Sequence, residues 1–60
     1  MNRKYIISCY DYDDNFLDEY IGNVNQVEAI KATTIFNKDF NRWEDNNFYY
    51  VFEVIKNEKL

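Results

Sequence analysis

The spacing of apolar residues divides the chain into four segments. Residues 4–10 hold Tyr5, Ile6, Ile7, Cys9 and Tyr10, dense in β-branched and aromatic types, and predict a strand. The turn formers Asp11-Tyr12-Asp13-Asp14-Asn15 end it, and residues 16–24 predict a second strand that completes a hairpin. The spacing favours a three-residue turn, Asp13-Asp14-Asn15, with Asn15 left-handed. That register opposes Tyr12 to Phe16, Tyr10 to Asp18 and Ser8 to Tyr20 on one face. Ile7 with Ile21 and Cys9 with Glu19 take the other face, which Leu17 joins. A slip of one residue would exchange the faces.

Residues 25–43 read as one amphipathic helix. At about 100° per residue, Ala29, Ala32, Thr33, Phe36, Phe40 and Trp43 share a stripe. Glu28, Lys31, Lys38, Asp39 and Arg42 lie opposite, with Ile35 projecting from that charged side. Gly22-Asn23-Val24 turns the chain into this helix, and Asn25 caps it with Glu28 three residues on. A polar loop, Glu44-Asp45-Asn46-Asn47, leads to a third strand at 48–55 and a frayed tail at 56–60.

The expected fold class is therefore α+β, in the order strand, strand, helix, strand. The right-handed crossover rule gives a three-stranded antiparallel sheet of order 2-1-3 with the helix on one face. The expected core is Ile7, Cys9, Ile21, Ala29, Ala32, Thr33, Phe36, Phe40 and Trp43. To these the third strand adds either Val51 and Ile55 or Phe52 and Val54, since both of its faces are apolar. On this reading Phe36→Ala costs about 3–5 kcal/mol.

Sixty residues form one domain, and a chain this size buries only about 60% of its unfolded surface. Cys9 is the only cysteine and histidine is absent, so neither an internal disulfide nor a histidine-bearing metal site supports the core. Twelve aromatics, six Tyr, five Phe and one Trp, exceed what one covered sheet face holds. Eleven Asp plus Glu against seven Lys plus Arg disfavour direct binding to a nucleic-acid backbone, which needs clustered cations. They point to a basic protein surface instead. Met1-Asn2-Arg3-Lys4 leads straight into a strand without an apolar leader, and no stretch is long enough to span a bilayer. With a free cysteine this gives a cytoplasmic expectation. Asn, Tyr, Ile, Lys and Phe, all with AT-rich codons, make up about half of the chain, which suits a low-GC bacterium or its phage.

Asp11, Asp13 and Asn15 match the first, third and fifth positions of a calcium loop. Phe16 then stands where glycine must bend that loop, and Gly22 stands where its bidentate glutamate belongs. The segment reads as a solvated turn. Asp18 and Glu19 point to opposite faces of a strand and cannot converge as acid and base. Cys9 lacks the usual histidine base and reads as a small buried hydrophobe. The chain is read as non-enzymatic, with no cofactor.

The uncovered sheet face collects Ile6, Ser8, Tyr10, Tyr12, Phe16, Asp18 and Tyr20, aromatics in an acidic setting. A protein partner or a second copy forming a homodimer both suit it. A single-stranded nucleic acid stacking on the rings is opposed by the acids among them. The candidate partner-binding residues are Tyr10, Asp11, Tyr12, Asp13, Asp14, Phe16, Asp18, Glu19 and Tyr20, with Glu44 and Asp45 extending the acidic row.

An acid-rich hairpin turn (Asp11, Asp13, Asp14), flanking aromatic strands and one helix in a short chain resemble small acidic phage proteins that inhibit bacterial enzymes. Among these are anti-CRISPR proteins and the phage inhibitors of uracil-DNA glycosylase. The resemblance covers nearly the whole chain, as topology and composition. It implies a non-catalytic inhibitor of a host nucleic-acid-handling protein, acting through a carboxylate-rich surface that stands in for phosphates. The alternative is a homodimeric structural or regulatory protein.

Overall fold

A computed structural model describes residues 3–55; the tail expected at 56–60 lies outside them. The elements run β1 (Lys4–Asp11), β2 (Phe16–Asn23), α1 (Val24–Thr33), β3 (Ile35–Asn37), β4 (Arg42–Glu44) and β5 (Phe48–Val54). They form one five-stranded antiparallel sheet of order β2-β1-β5-β4-β3. This overturns the expected three-stranded 2-1-3 sheet, because residues 35–44 form a second hairpin where the apolar stripe continued the helix. Among the described residues no helix is long and apolar enough to cross a membrane.

The helix starts earlier and ends sooner than residues 25–43. Asn23, not Asn25, is its cap: Asn23 Oδ1 accepts from the Gln26 amide at 3.1 Å, and Gln26 Oε1 accepts from the Asn23 amide at 2.8 Å. The box closed by Gln26 leaves Glu28 outside the first turn. At the other end Thr33-Thr34-Ile35 is a β-branched run with poor helix propensity. Thr34, in extended conformation, closes the helix, and its hydroxyl donates to the Ile30 carbonyl at 2.7 Å. Asn37 to Asn41 then supply turn chemistry. Asn41 adopts φ 53°, and its amide donates to the Lys38 carbonyl, so Phe36 and Trp43 become cross-strand neighbours of a β3–β4 hairpin. Their rings meet at 4.7 Å.

The first hairpin is shifted by one residue from the expected register. Ile7 opposes Tyr20, Cys9 opposes Asp18 and Ser8 opposes Glu19, with an irregularity after Cys9 that leaves Leu17 unpaired before Tyr10 meets Phe16. Asp14, with φ 65°, takes the left-handed position assigned to Asn15. The slip turns Tyr20 and Asp18 to the helix side, and Ile21 and Glu19 to the open side.

The core sits where α1 crosses β1 and β2. Ile7 and Val27 are fully buried, and Cys9 is buried beside them. Gly22 makes this approach possible: a Cβ there would lie 2.6 Å from Ile7 Cδ1 and 3.2 Å from Gln26 Oε1. Beyond Ile7 the helix covers the sheet with a lysine stem, Lys31 Nζ lying 5.2 Å from the Trp43 ring and 6.0 Å from Phe52. The helix-side row of β5 is thus Tyr50, Phe52 and Val54, paired with Cys9, Ile7 and Tyr5, while Val51 faces the other way.

Several expected core residues lie outside the core. Ala29, Ala32 and Thr33 are exposed on α1, because the helix buries Val27 instead. Ile21 (64%), Phe40 (65%) and Phe36 (42%) are exposed, and Trp43 is half-buried. Ile35 is exposed as anticipated, but on β3 rather than on a helix.

The large loss assigned to Phe36→Ala is therefore withdrawn. Half-exposed Phe36 is worth about 1–2 kcal/mol, whereas Ile7→Ala costs about 2–5 kcal/mol in urea unfolding. Gly22→Ala destabilises by about 1–3 kcal/mol through overpacking. In an Ile7→Val background, which removes the clashing Cδ1, most of that loss disappears; equal losses in both backgrounds would refute the packing account.

Candidate functional site

The open face has a second small core, centred on Tyr49, which keeps only 7% of its surface. The β1–β2 turn builds it. Asp11 is the organiser: its Oδ1 accepts from the amides of Asp13 and Asn15, each at 2.9 Å, and its Oδ2 from Asn15 Nδ2 at 3.1 Å. The Asp14 amide closes the turn on the Asp11 carbonyl at 3.0 Å. These donors favour the ionised form, so hydrogen bonding to Asn15 holds the Asp11 carboxyl below its ordinary range. An aspartate is suited to this task because its short carboxylate reaches the following amides directly.

So shaped, the turn folds over the sheet. Tyr49 stacks on Tyr10 at 5.1 Å between ring centres and 14° between planes, and Phe16 meets Tyr10 edge-on at 5.9 Å. The Tyr49 hydroxyl donates to Asp14 Oδ1 at 2.8 Å. Burial, then this hydrogen bond, raise the Tyr49 pKa. The Tyr12 hydroxyl donates to the Asp45 carbonyl. This contact ties the β1–β2 turn to the loop between β4 and β5.

Arg42 closes the other side. Its guanidinium lies 3.7 Å from the Tyr49 ring centre and 4.6 Å from that of Phe40. Nε donates to Glu44 Oε2 at 2.7 Å, and one Nη lies 3.9 Å from Asp14 Oδ1. Asn37 Nδ2 donates to the same Glu44 oxygen at 3.1 Å. The Glu44 pKa is lowered, chiefly by its bond to Arg42, and that of Arg42 is raised by the same bond. Asp45 caps its own loop, accepting from the amides of Asn47 at 2.8 Å and Phe48 at 2.7 Å.

The result is an acidic, aromatic end of the sheet. Asp11, Asp13, Asp14, Glu44 and Asp45 gather there against the single guanidinium of Arg42, with Tyr12 and Phe16 exposed among them, Phe16 at 57%. A shallow cleft of about 290 Å³ opens beside it, lined by Tyr12, Thr33, Ile35, Glu44, Asp45 and Asn46.

Of the residues singled out from sequence, Tyr10, Asp11, Tyr12, Asp13, Asp14 and Phe16 come together at this end. Asp18 and Tyr20 face the helix side instead, and Glu19 lies on the open face opposite Ser8. Asp18 Oδ1 accepts from the Glu19 amide at 2.8 Å. Tyr49 and Arg42 were missed. The alternation of 48–54, which places Tyr49 on the face of Tyr10, and a cation flanked by Phe40 and Trp43 were the signals for them. Cys9 is buried, and burial raises the pKa of its thiol against the lowering effect of a hydrogen bond with Tyr50. Among the described residues no group of His, Cys, Asp or Glu is arranged to hold a metal ion.

Comparison with protein-family models, curated proteins and solved structures finds no match.

Two outcomes test this geometry. Tyr49→Phe keeps the stack and loses one hydrogen bond, costing about 0.5–1.5 kcal/mol, whereas Tyr49→Ala costs about 3–5 kcal/mol. Asp11 carries a lowered pKa, so its stabilisation is present above the unfolded value of about 3.9 and lost as pH falls through the folded one. The melting temperature should therefore drop on acidification, and less steeply in Asp11→Asn, which keeps an acceptor but has no charge to lose. Equal slopes would remove Asp11 from the acid response.

Proposed function

We propose that this chain is a non-catalytic binding module, encoded by a phage or another mobile element. In the host cytoplasm it blocks a nucleic-acid-handling defence or repair protein by occupying its basic groove. One observation carries the reading: the Tyr12–Asp45 contact joins two loops, so that five carboxylates and two exposed rings share one end of the sheet. Carboxylates fixed by turn geometry present negative charge without the entropy cost of ordering long side chains. Their field speeds encounter with a groove that attracts phosphates. Tyr12 and Phe16 supply apolar area at the contact centre, where binding energy concentrates. Asp14 and Glu44 contribute charge while hydrogen-bonded inward, so Asp13 is the carboxylate best placed to touch a partner.

The immobilised chain, incubated with lysate from a low-GC bacterium, is expected to retain a nucleic-acid-binding protein at low salt. High salt or added duplex DNA should release it. An Asp13→Asn, Phe16→Ala variant keeps its fold, since both side chains are exposed, and should lose at least tenfold in capture. Capture indifferent to salt, DNA and this variant would sink the proposal.

A further inference from the structure

The outer edge of the sheet opposite β3 is β2, and its residues from Phe16 to Ile21 are all exposed. The crossover helix leaves β2 at Asn23 and carries Lys31 over Phe52 and Trp43 of β5 and β4, while residues 16–21 of β2 stay exposed. An exposed edge strand of eight residues is a template for a further strand. The question is which strand fits.

Residues that oppose one another in an antiparallel pair point to the same face. Two copies of β2 related by a two-fold axis must therefore centre on a residue, not between two. The irregularity at Leu17 and the start of α1 at Val24 confine the regular stretch to 18–23. Centring on Glu19 opposes two glutamates and draws in the irregular Leu17. Centring on Ile21 opposes Asp18 to the first helical residue. Centring on Tyr20 opposes no like charges and keeps residues 18–22 paired within the regular stretch, with only Asn23 at its end meeting Leu17. Tyr20 then meets itself, Glu19 meets Ile21 and Asp18 meets Gly22, with no carboxylate facing another.

Long-range charge agrees. The antiparallel arrangement sends the two acidic ends to opposite sides of the combined sheet. It also sets each acidic turn beside the Arg3–Lys4 end of the other copy, since Lys4 pairs with Asn23 at the end of β2 and both cations are exposed. Attraction between unlike ends thus offsets the repulsion expected of two chains each carrying −4. On the open face Ile21, 64% exposed and paired with Ile6, gains cover from the aliphatic stem of Glu19.

We infer that β2 pairs with β2 of a second copy about a two-fold axis at Tyr20, making a continuous ten-stranded sheet. This dimer leaves both acidic, aromatic ends accessible. It also stands apart from the proposed partner, because it is measured on the purified chain alone.

The register is tested by the sign of two substitutions at exposed Ile21. Ile21→Lys places a cation opposite Glu19 twice per dimer, and Ile21→Glu places an anion there. In sedimentation velocity over a concentration series, the dimer should tighten about fivefold in the first and loosen about fivefold in the second. In a Cys9→Ala background under glutathione buffer, Tyr20→Cys should form a covalent dimer readily and Glu19→Cys should not. Circular dichroism of every variant checks that it folds. A chain that remains monomeric at all concentrations overturns the inference. So does equal weakening by both Ile21 variants, or cross-linking through position 19 in preference to 20.

Discussion

Steric room at Gly22 governs this structure. α1, ten residues and nearly three turns long, gains little stability by itself, so it persists only where an apolar side chain meets the sheet closely. That place is Val27 over Ile7, and it exists because no Cβ stands between Ile7 and the Gln26 side chain that closes the helix cap. Cap, crossover and core are thus one packing event. The register of β1 against β2 serves it too, since it is the pairing of Tyr5 with Gly22 that presents the bare backbone on the helix side.

The open face reaches the same end by different means. With no second layer to bury it, Tyr49 is enclosed by a folded-over turn, a stacked tyrosine and a guanidinium. Cation–π and stacking contacts do here what aliphatic packing does beneath the helix. A polypeptide of this size has too little apolar volume for two conventional cores. Its abundant aromatics resolve that shortage, since each covers a large area and tolerates a polar neighbour at its rim.

Much of the sheet was legible in the sequence, because the strands at 4–11, 16–23 and 48–54 are bounded by clear turn formers and rich in β-branched and aromatic residues. The helix was over-extended for a specific reason. Phe36, Phe40 and Trp43 fit a 3.6-residue period by coincidence, while the competing signals, Thr33-Thr34-Ile35 and the Asn-rich run to Asn41, are local and carry no periodicity. The hairpin slip has two parts: Asp14 rather than Asn15 takes the left-handed position, which moves the register by two residues and keeps Phe16 on the face of Tyr10, and the irregularity at Leu17 gives one residue back, so residues 18–23 change faces. At the candidate site, the acids of the turn were visible, but their division of labour was not. That Asp11 holds the turn while Asp14 faces Tyr49 and Arg42 depends on contacts across some thirty residues of sequence, which spacing alone cannot encode.

The position of β5 has a consequence for how the chain is made. It enters between β1 and β4, so the first hairpin and the β3–β4 hairpin share no backbone ladder until it arrives. During synthesis the inner edge of β1, with Ile7 and Cys9, must therefore wait unpaired while about forty residues emerge. The full sheet is therefore expected to close late, when Tyr49 and Phe52 pair with Tyr10 and Ile7. A ribosome-bound chain stalled before Phe48 would be a pair of hairpins with no backbone ladder to join them.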